Sequence, residues 1–137
     1  MNRLLLICVI LLTGIIASGQ SGGVLQDGYQ KFKYPNGTVS SEGIFRNGKP
    51  DGFWISYYVT GIKKSEGKYS NFQLDSVWVF FDQAGDTTEK INYLFGKRNG
   101  YSYKYKKDPS AGISVQSQEL YAGDRKEGMA YSYFPDG

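Results

Sequence analysis

One spacing constrains this chain more than any other feature. Asp27-Gly28, Asp51-Gly52, Asp75-Ser76 and Asn99-Gly100 follow one another at intervals of 24 residues, and Glu127-Gly128 comes 28 residues later. Self-similarity at a fixed period of this length marks a repeat array, whose units cannot bury their apolar surface alone and must stack. The units are 27–50, 51–74, 75–98, 99–126 and a partial 127–137. In the clearest copy, residues 51–74, Asp51-Gly52 reads as a turn. The aromatic run FWISYY follows, Thr60-Gly61 punctuates it, and a second run ends at Tyr69. Two short β-prone runs separated by Gly-containing turns predict a β-hairpin.

Superposed units sharpen the pattern. The sixth residue before each new unit is always aromatic: Phe45, Tyr69, Tyr93 and Tyr121. Gly37, Gly61, Gly85 and Gly137 each lie ten residues after their unit start, where a tight turn needs positive φ. Pro35-Asn36-Gly37, Asn47-Gly48 and Ala84-Gly85 are further turn signals, and KDPSAG at 107–112 replaces the tight turn in the fourth unit. Alternation along the first strand of each unit divides it into two faces. Phe53, Ile55, Tyr57, Val77, Val79, Phe81, Tyr101, Tyr103, Tyr105, Met129, Tyr131 and Tyr133 form an apolar or aromatic face, and the face carrying Trp54, Trp78, Ser102 and Ala130 is mixed. The first unit departs: Lys31 and Lys33 take the apolar parity while Phe32 and Tyr34 take the other, which reads as a one-residue slip or a frayed edge. No stretch after the N-terminus has helical periodicity. The expectation is an all-β fold of tandem antiparallel β-hairpins in one elongated, twisted meander sheet, preceded by a signal-peptide helix.

That helix is residues 1–19. Asn2-Arg3 starts it, residues 4–12 are apolar, and Ala17-Ser18-Gly19 supplies small residues for cleavage before Gln20. The apolar run is shorter than the roughly 20 residues of a spanning helix. Cys8 belongs to its apolar core. Residues 20–26 read as a flexible linker and 27–137 as the array. Export by the general secretory route to the periplasm, outer surface or medium follows. Cleavage removes the only cysteine and one basic residue, leaving 118 residues, no histidine and a net charge of +2 instead of +3. Disulfides are then impossible, and the balanced charge argues against nucleic acid as a partner.

Without histidine or a mature cysteine, Ser-His and Cys-His nucleophile pairs and His/Cys metal sites are excluded. Asp51, Asp75, Glu42, Glu66 and Glu89 are the candidates for a carboxylate pair; Asp51 and Asp75 open units as turn residues, Glu42 and Glu66 recur with the repeat, and the structural reading is favoured for each of the five. Asp75, Asp82 and Asp86 have no Ca²⁺-loop spacing. The expectation is therefore no catalytic residue, metal or cofactor. Lys104, Lys106 and Lys107, interleaved with Tyr103 and Tyr105, read as a solvated face. Trp54 and Trp78 occupy equivalent positions one repeat apart. With Tyr58 and Phe80 they are the candidate binding residues, a stacking surface for glycan or peptide, unless the indoles brace neighbouring hairpins.

The segment DGFWISYYVTGIKKSEGKYSN resembles the MORN-repeat variant found in tandem in many bacterial exported proteins, best at Gly52, Trp54, Tyr57, Tyr58, Gly61, Gly67 and Tyr69. The third unit keeps Trp78, Phe81, Gly85 and Tyr93 but has Ser76 and Ile91 where the pattern wants glycine. The first unit keeps Gly28, Tyr34, Gly37, Gly43 and Phe45 but has Gln30 and Lys33 at aromatic positions. The resemblance covers residues 27–137. It implies the hairpin array and, by family label, an antitoxin-like component, with links to membrane association and protein assembly. The functional expectation is a non-catalytic exported repeat protein presenting a β-sheet surface to another protein; the alternative is a module binding envelope glycan or lipid. Residues 129–134 carry no charge and precede a turn at Pro135-Asp136-Gly137 with no returning strand. This predicts a fragment of a longer array, or self-association through the C-terminal edge strand.

Overall fold

The structure is a computed structural model and describes residues 26–134. The expected signal sequence and cleavage point, nearly all of the expected linker and the expected turn at 135–137 lie outside the described residues. Nine strands follow in chain order: β1 (Gly28–Lys33), β2 (Val39–Arg46), β3 (Lys49–Tyr57), β4 (Lys63–Ser70), β5 (Gln73–Phe81), β6 (Thr87–Leu94), β7 (Lys97–Asp108), β8 (Gly112–Ala122) and β9 (Arg125–Ser132). They pair strictly with sequence neighbours, all antiparallel, in one open meander sheet. The expected all-β hairpin meander is what the chain forms among the described residues.

Two kinds of turn alternate. Asn47-Gly48, Asn71-Phe72, Phe95-Gly96 and Gly123-Asp124 are two-residue turns with positive φ at both positions, the conformation whose twist matches flanking strands. The others are three-residue turns. The Gly61 N–H donates to the Tyr58 carbonyl and the Tyr58 N–H to that of Ile62, both at 2.8 Å, with Gly61 at φ +86°. Tyr34–Thr38 and Asp82–Asp86 repeat this geometry one unit before and after. In the fourth unit Asp108 pairs with Gly112 across a turn of the same length, whose backbone N–H groups at Ser110 and Ala111 donate to the Asp108 carboxylate; the unit's extra residues lengthen β7 and β8 instead.

Asp51-Gly52 is not a turn. It sits inside β3, where Gly43 pairs with Trp54 but Phe45 pairs with Pro50, so β3 carries two residues more than β2 over that stretch. Gly52 takes φ +85° at this bulge, and Gly28, Ser76, Gly100 and Gly128 hold the equivalent place with positive φ. A bulge and a turn demand the same left-handed backbone, so the glycine signal alone does not separate them.

The core lies on the face carrying Trp54 and Trp78. Phe45 and Trp54 are 8% exposed and Trp78 4%, with Phe32, Tyr69, Leu74, Phe80 and Tyr93 packed against them. Phe53, Val77, Tyr101, Met129, Tyr131 and Tyr133, the face that looked more apolar, are exposed. The even strands decide the matter, because Phe45 and Tyr69 side with the tryptophans and glycines stand opposite them. The first unit neither slips nor frays: Phe32 lies 5.5 Å from Phe45 and 6.1 Å from Trp54, ring centre to ring centre, and so follows the true core parity.

Candidate functional site

Each tryptophan is seated over a glycine of the preceding strand. A Cβ on Gly43 would come within 2.3 Å of the Trp54 ring, and one on Gly67 within 2.3 Å of the Trp78 ring. Tyr69 stands edge-on between them, 6.3 Å from Trp54 and 5.1 Å from Trp78. The Trp78 indole N–H donates to the Lys68 carbonyl at 3.1 Å. Phe80 is half-buried, 6.4 Å from Trp78. The Tyr58 hydroxyl donates to the Phe81 carbonyl at 2.8 Å, just as Tyr34 donates to Tyr57 one unit earlier, latching each inner turn to the next hairpin. Trp54, Trp78 and Phe80 are thus brought together, but as packing, while Tyr58 is placed apart as a turn latch. At their exposure the indoles offer no free face on which a ligand could stack, so the open stacking surface expected from the sequence does not form; the two tryptophans brace adjacent hairpins.

The opposite face is open and graded. Its first row crosses the whole sheet: Tyr29 pairs with Ile44, Phe53 with Lys68, Val77 with Asn92 and Tyr101 with Leu120, and Met129 follows on β9. Six of these apolar side chains are exposed, Phe53 at 55% and Met129 at 74%. At about 4.8 Å per strand the row is about 38 Å long from β1 to β9. Sequence parity placed Phe53, Val77, Tyr101 and Met129 on one face, but did not single out Tyr29 or Ile44.

A second row beside it is mixed, with the charged residues Lys31, Glu42, Glu66 and Lys90 in register with Ile55, Val79 and Tyr103. The Lys31 ammonium lies 2.7 Å from the Glu42 carboxylate, and the Tyr57 hydroxyl donates to Glu42 at 2.6 Å. Lys31 and Tyr57 hold the Glu42 carboxyl down at about 2. Desolvation, then the hydrogen bond to Glu42, pushes the Tyr57 hydroxyl up to about 12. Lys63 pairs with Glu66 at 2.7 Å and lies over the Phe81 ring at 5.6 Å; Lys90 lies over Tyr105 at the same distance. An apolar strip bordered by paired polar groups has the anatomy of a protein interface, whose dry centre is ringed by a wet rim.

Three of the carboxylates weighed as chemical groups hold structural partners. Asp51 pairs with Arg46 at 3.2 Å, and Asp82 accepts the N–H groups of Ala84 and Asp86 at 2.9 Å each within its own turn. Asp86 pairs with Lys107, tying the third inner turn to the fourth. Strand β9 is exposed along its length and paired on one side only among the described residues. No family model matches this chain, and no curated protein matches it.

Proposed function

We propose that this chain is an exported, non-catalytic repeat protein whose apolar sheet face receives a partner protein. The observation that carries this reading is the exposed row Tyr29, Ile44, Phe53, Val77, Tyr101 and Met129, which lies on six of the nine strands, with Lys68 and Asn92 in line on β4 and β6. Scattered exposed apolar residues are ordinary on a soluble surface, whereas large apolar side chains aligned in one row beside polar groups mark an interaction site. The elongated repeat array suits this use, since each added hairpin lengthens the strip without altering its cross-section. The resemblance to the MORN-repeat variant and the leader-like residues 1–19 support assembly with an envelope or extracellular protein.

The test compares the native chain with Phe53→Asp/Tyr101→Asp. Both positions are solvent-facing, so the variant keeps the core. The expected result is a protein from envelope extracts that the native chain retains and the variant loses, with unchanged circular dichroism melts. Identical retained sets would overturn the reading. Light scattering of the native chain alone separates a foreign partner from a second copy: self-association that the double variant abolishes assigns the strip to dimerisation instead.

A further inference from the structure

The core face changes character after β6. The position of Trp54 and Trp78 becomes Ser102, and the glycine that would lie under an indole there becomes Ile91, its cross-strand partner. Where tryptophan filled the space there is now a cleft of about 500 Å³ between β6 and β9, within the range of small-molecule sites of about 300–1,000 Å³. On it the Ser102 hydroxyl oxygen is shielded from solvent and has no hydrogen-bond partner among the described residues. A buried hydroxyl without a partner is costly, and a native structure that keeps one calls for an explanation.

The walls carry three cations, Arg98, Lys104 and Lys126, and three acids, Glu89, Glu119 and Asp124. Most are already matched. Lys126 donates to Glu119 at 2.6 Å, the Tyr121 hydroxyl donates to the other oxygen of Glu119 at 2.6 Å, and Arg98 meets Asp124 at 3.4 Å while lying 4.2 Å from the centre of the Tyr121 ring. The Lys126 ammonium and the Tyr121 hydroxyl hold the Glu119 carboxyl below its ordinary range, and the Arg98 backbone N–H does the same for Asp124. Both acids are therefore ionised at neutral pH. Paired charges have no net field to offer an ion, yet they keep unused capacity: two further protons on Lys126, the outer nitrogens of Arg98, and the second oxygen of Asp124. An anion would face three acids and a cation three bases. A neutral ligand whose groups each donate and accept satisfies such a wall on both sides.

We propose that this cleft binds a small neutral polyhydroxylated ligand, a saccharide, with Ser102 at its floor and Lys104 and Glu89 as the groups that contact it. The site lies on the face opposite the apolar strip and stands independently of the partner-protein reading.

The chain is titrated with glucose, N-acetylglucosamine and cellobiose while amide chemical shifts are followed. Saturable shifts confined to β6–β9 for at least one sugar, insensitive to added sodium chloride, are expected. Lys104→Ala/Glu89→Ala should weaken that binding ten-fold or more without moving the melting temperature. Ile91→Gly/Ser102→Trp, which rebuilds the tryptophan-over-glycine pair, should fill the cleft and abolish it; should that variant not fold, the first still decides. Absence of a saturable response to all three sugars up to about 10 mM overturns the proposal. So does tighter, salt-sensitive binding of inorganic phosphate or of the zwitterion alanine, which would mark the cleft as a charge-binding site.

Discussion

The same face of one sheet is dry over β2–β5 and polar over β6–β9, although the backbone repeats. In the first region a tryptophan lies on a glycine twice, Trp54 on Gly43 and Trp78 on Gly67. In the second, Ser102 stands across from Ile91, and Ala130 takes the tryptophan place with Glu119 in the glycine place. Large meets absent and small meets medium, so the two positions behave as one unit of volume. Close packing accounts for this, since a single-layer sheet has no second layer to absorb an overfilled or emptied site. What differs between the regions is therefore side-chain volume and polarity on a shared frame of turns and bulges, and that is how one array can hold a core at one end and a cleft at the other.

The largest effect expected from this contrast is at Trp78. Trp78→Ser gives the second region's residue to the first and should cost about 3–5 kcal/mol, lowering the melting temperature by about 12 °C or more. The reciprocal truncation, Ser102→Ala, removes a hydroxyl that has no partner and should be neutral or raise stability by up to about 1 kcal/mol. Thermal melts of the two variants check the pair; equal losses would show that the regions are not energetically distinct.

An intermediate effect is expected across the strand. Gly67→Val places a Cβ inside the contact distance of the Trp78 ring and should cost about 1–3 kcal/mol. Glu119→Val at the equivalent position breaks a partly exposed ion pair and should cost less than about 1 kcal/mol. If volume is shared across the pair, Gly67→Val combined with Trp78→Ser is less destabilised than the sum of the singles, a coupling that a double-mutant cycle in urea measures directly.

Much of the frame was legible in the sequence. The 24-residue period, the inner turns at Gly37, Gly61 and Gly85, and the recurring aromatic at Phe45, Tyr69, Tyr93 and Tyr121 each correspond to a feature of the sheet. The core face was not legible from parity along the odd strands alone, where Phe53, Val77 and Tyr101 look more apolar than Trp54, Ser56 and Ser102. The missing information was that Gly43 and Gly67 make room for indoles, which requires the cross-strand register. The bulges at Gly52, Ser76 and Gly100 shift that register by two residues, and glycine or serine after an acidic or amide residue reads equally well as a turn. The cleft was hidden for the same reason. Ile91 stood out as a departure from the repeat, but its partnership with Ser102 exists only once β6 and β7 are aligned.

The smallest effect separates the two regions by their acids. Glu42 lies at the end of the array that holds the dry core, but on the opposite face, away from the indoles. Glu119 lies on the core face itself, within the cleft. Both carboxyls are held below their ordinary range in the folded chain, Glu42 at about 2 by Lys31 and Tyr57, Glu119 by Lys126 and Tyr121. A carboxyl with a depressed folded pKa binds fewer protons folded than unfolded. Its contribution is therefore present above the unfolded value and is lost as pH falls through the folded one. For Glu42 that window runs from about 4.5 down to about 2. Urea midpoints measured across it should fall with pH in the native chain. Glu42→Gln should make the slope shallower, because the proton uptake on unfolding that drives it is removed. Glu119→Gln should flatten the same limb by less, since only the Glu42 shift is a large one. A native midpoint that is flat across this range would mean that the Lys31–Glu42–Tyr57 cluster contributes nothing to folding, leaving the indole–glycine pairs alone to distinguish the stable end of the array from the open one.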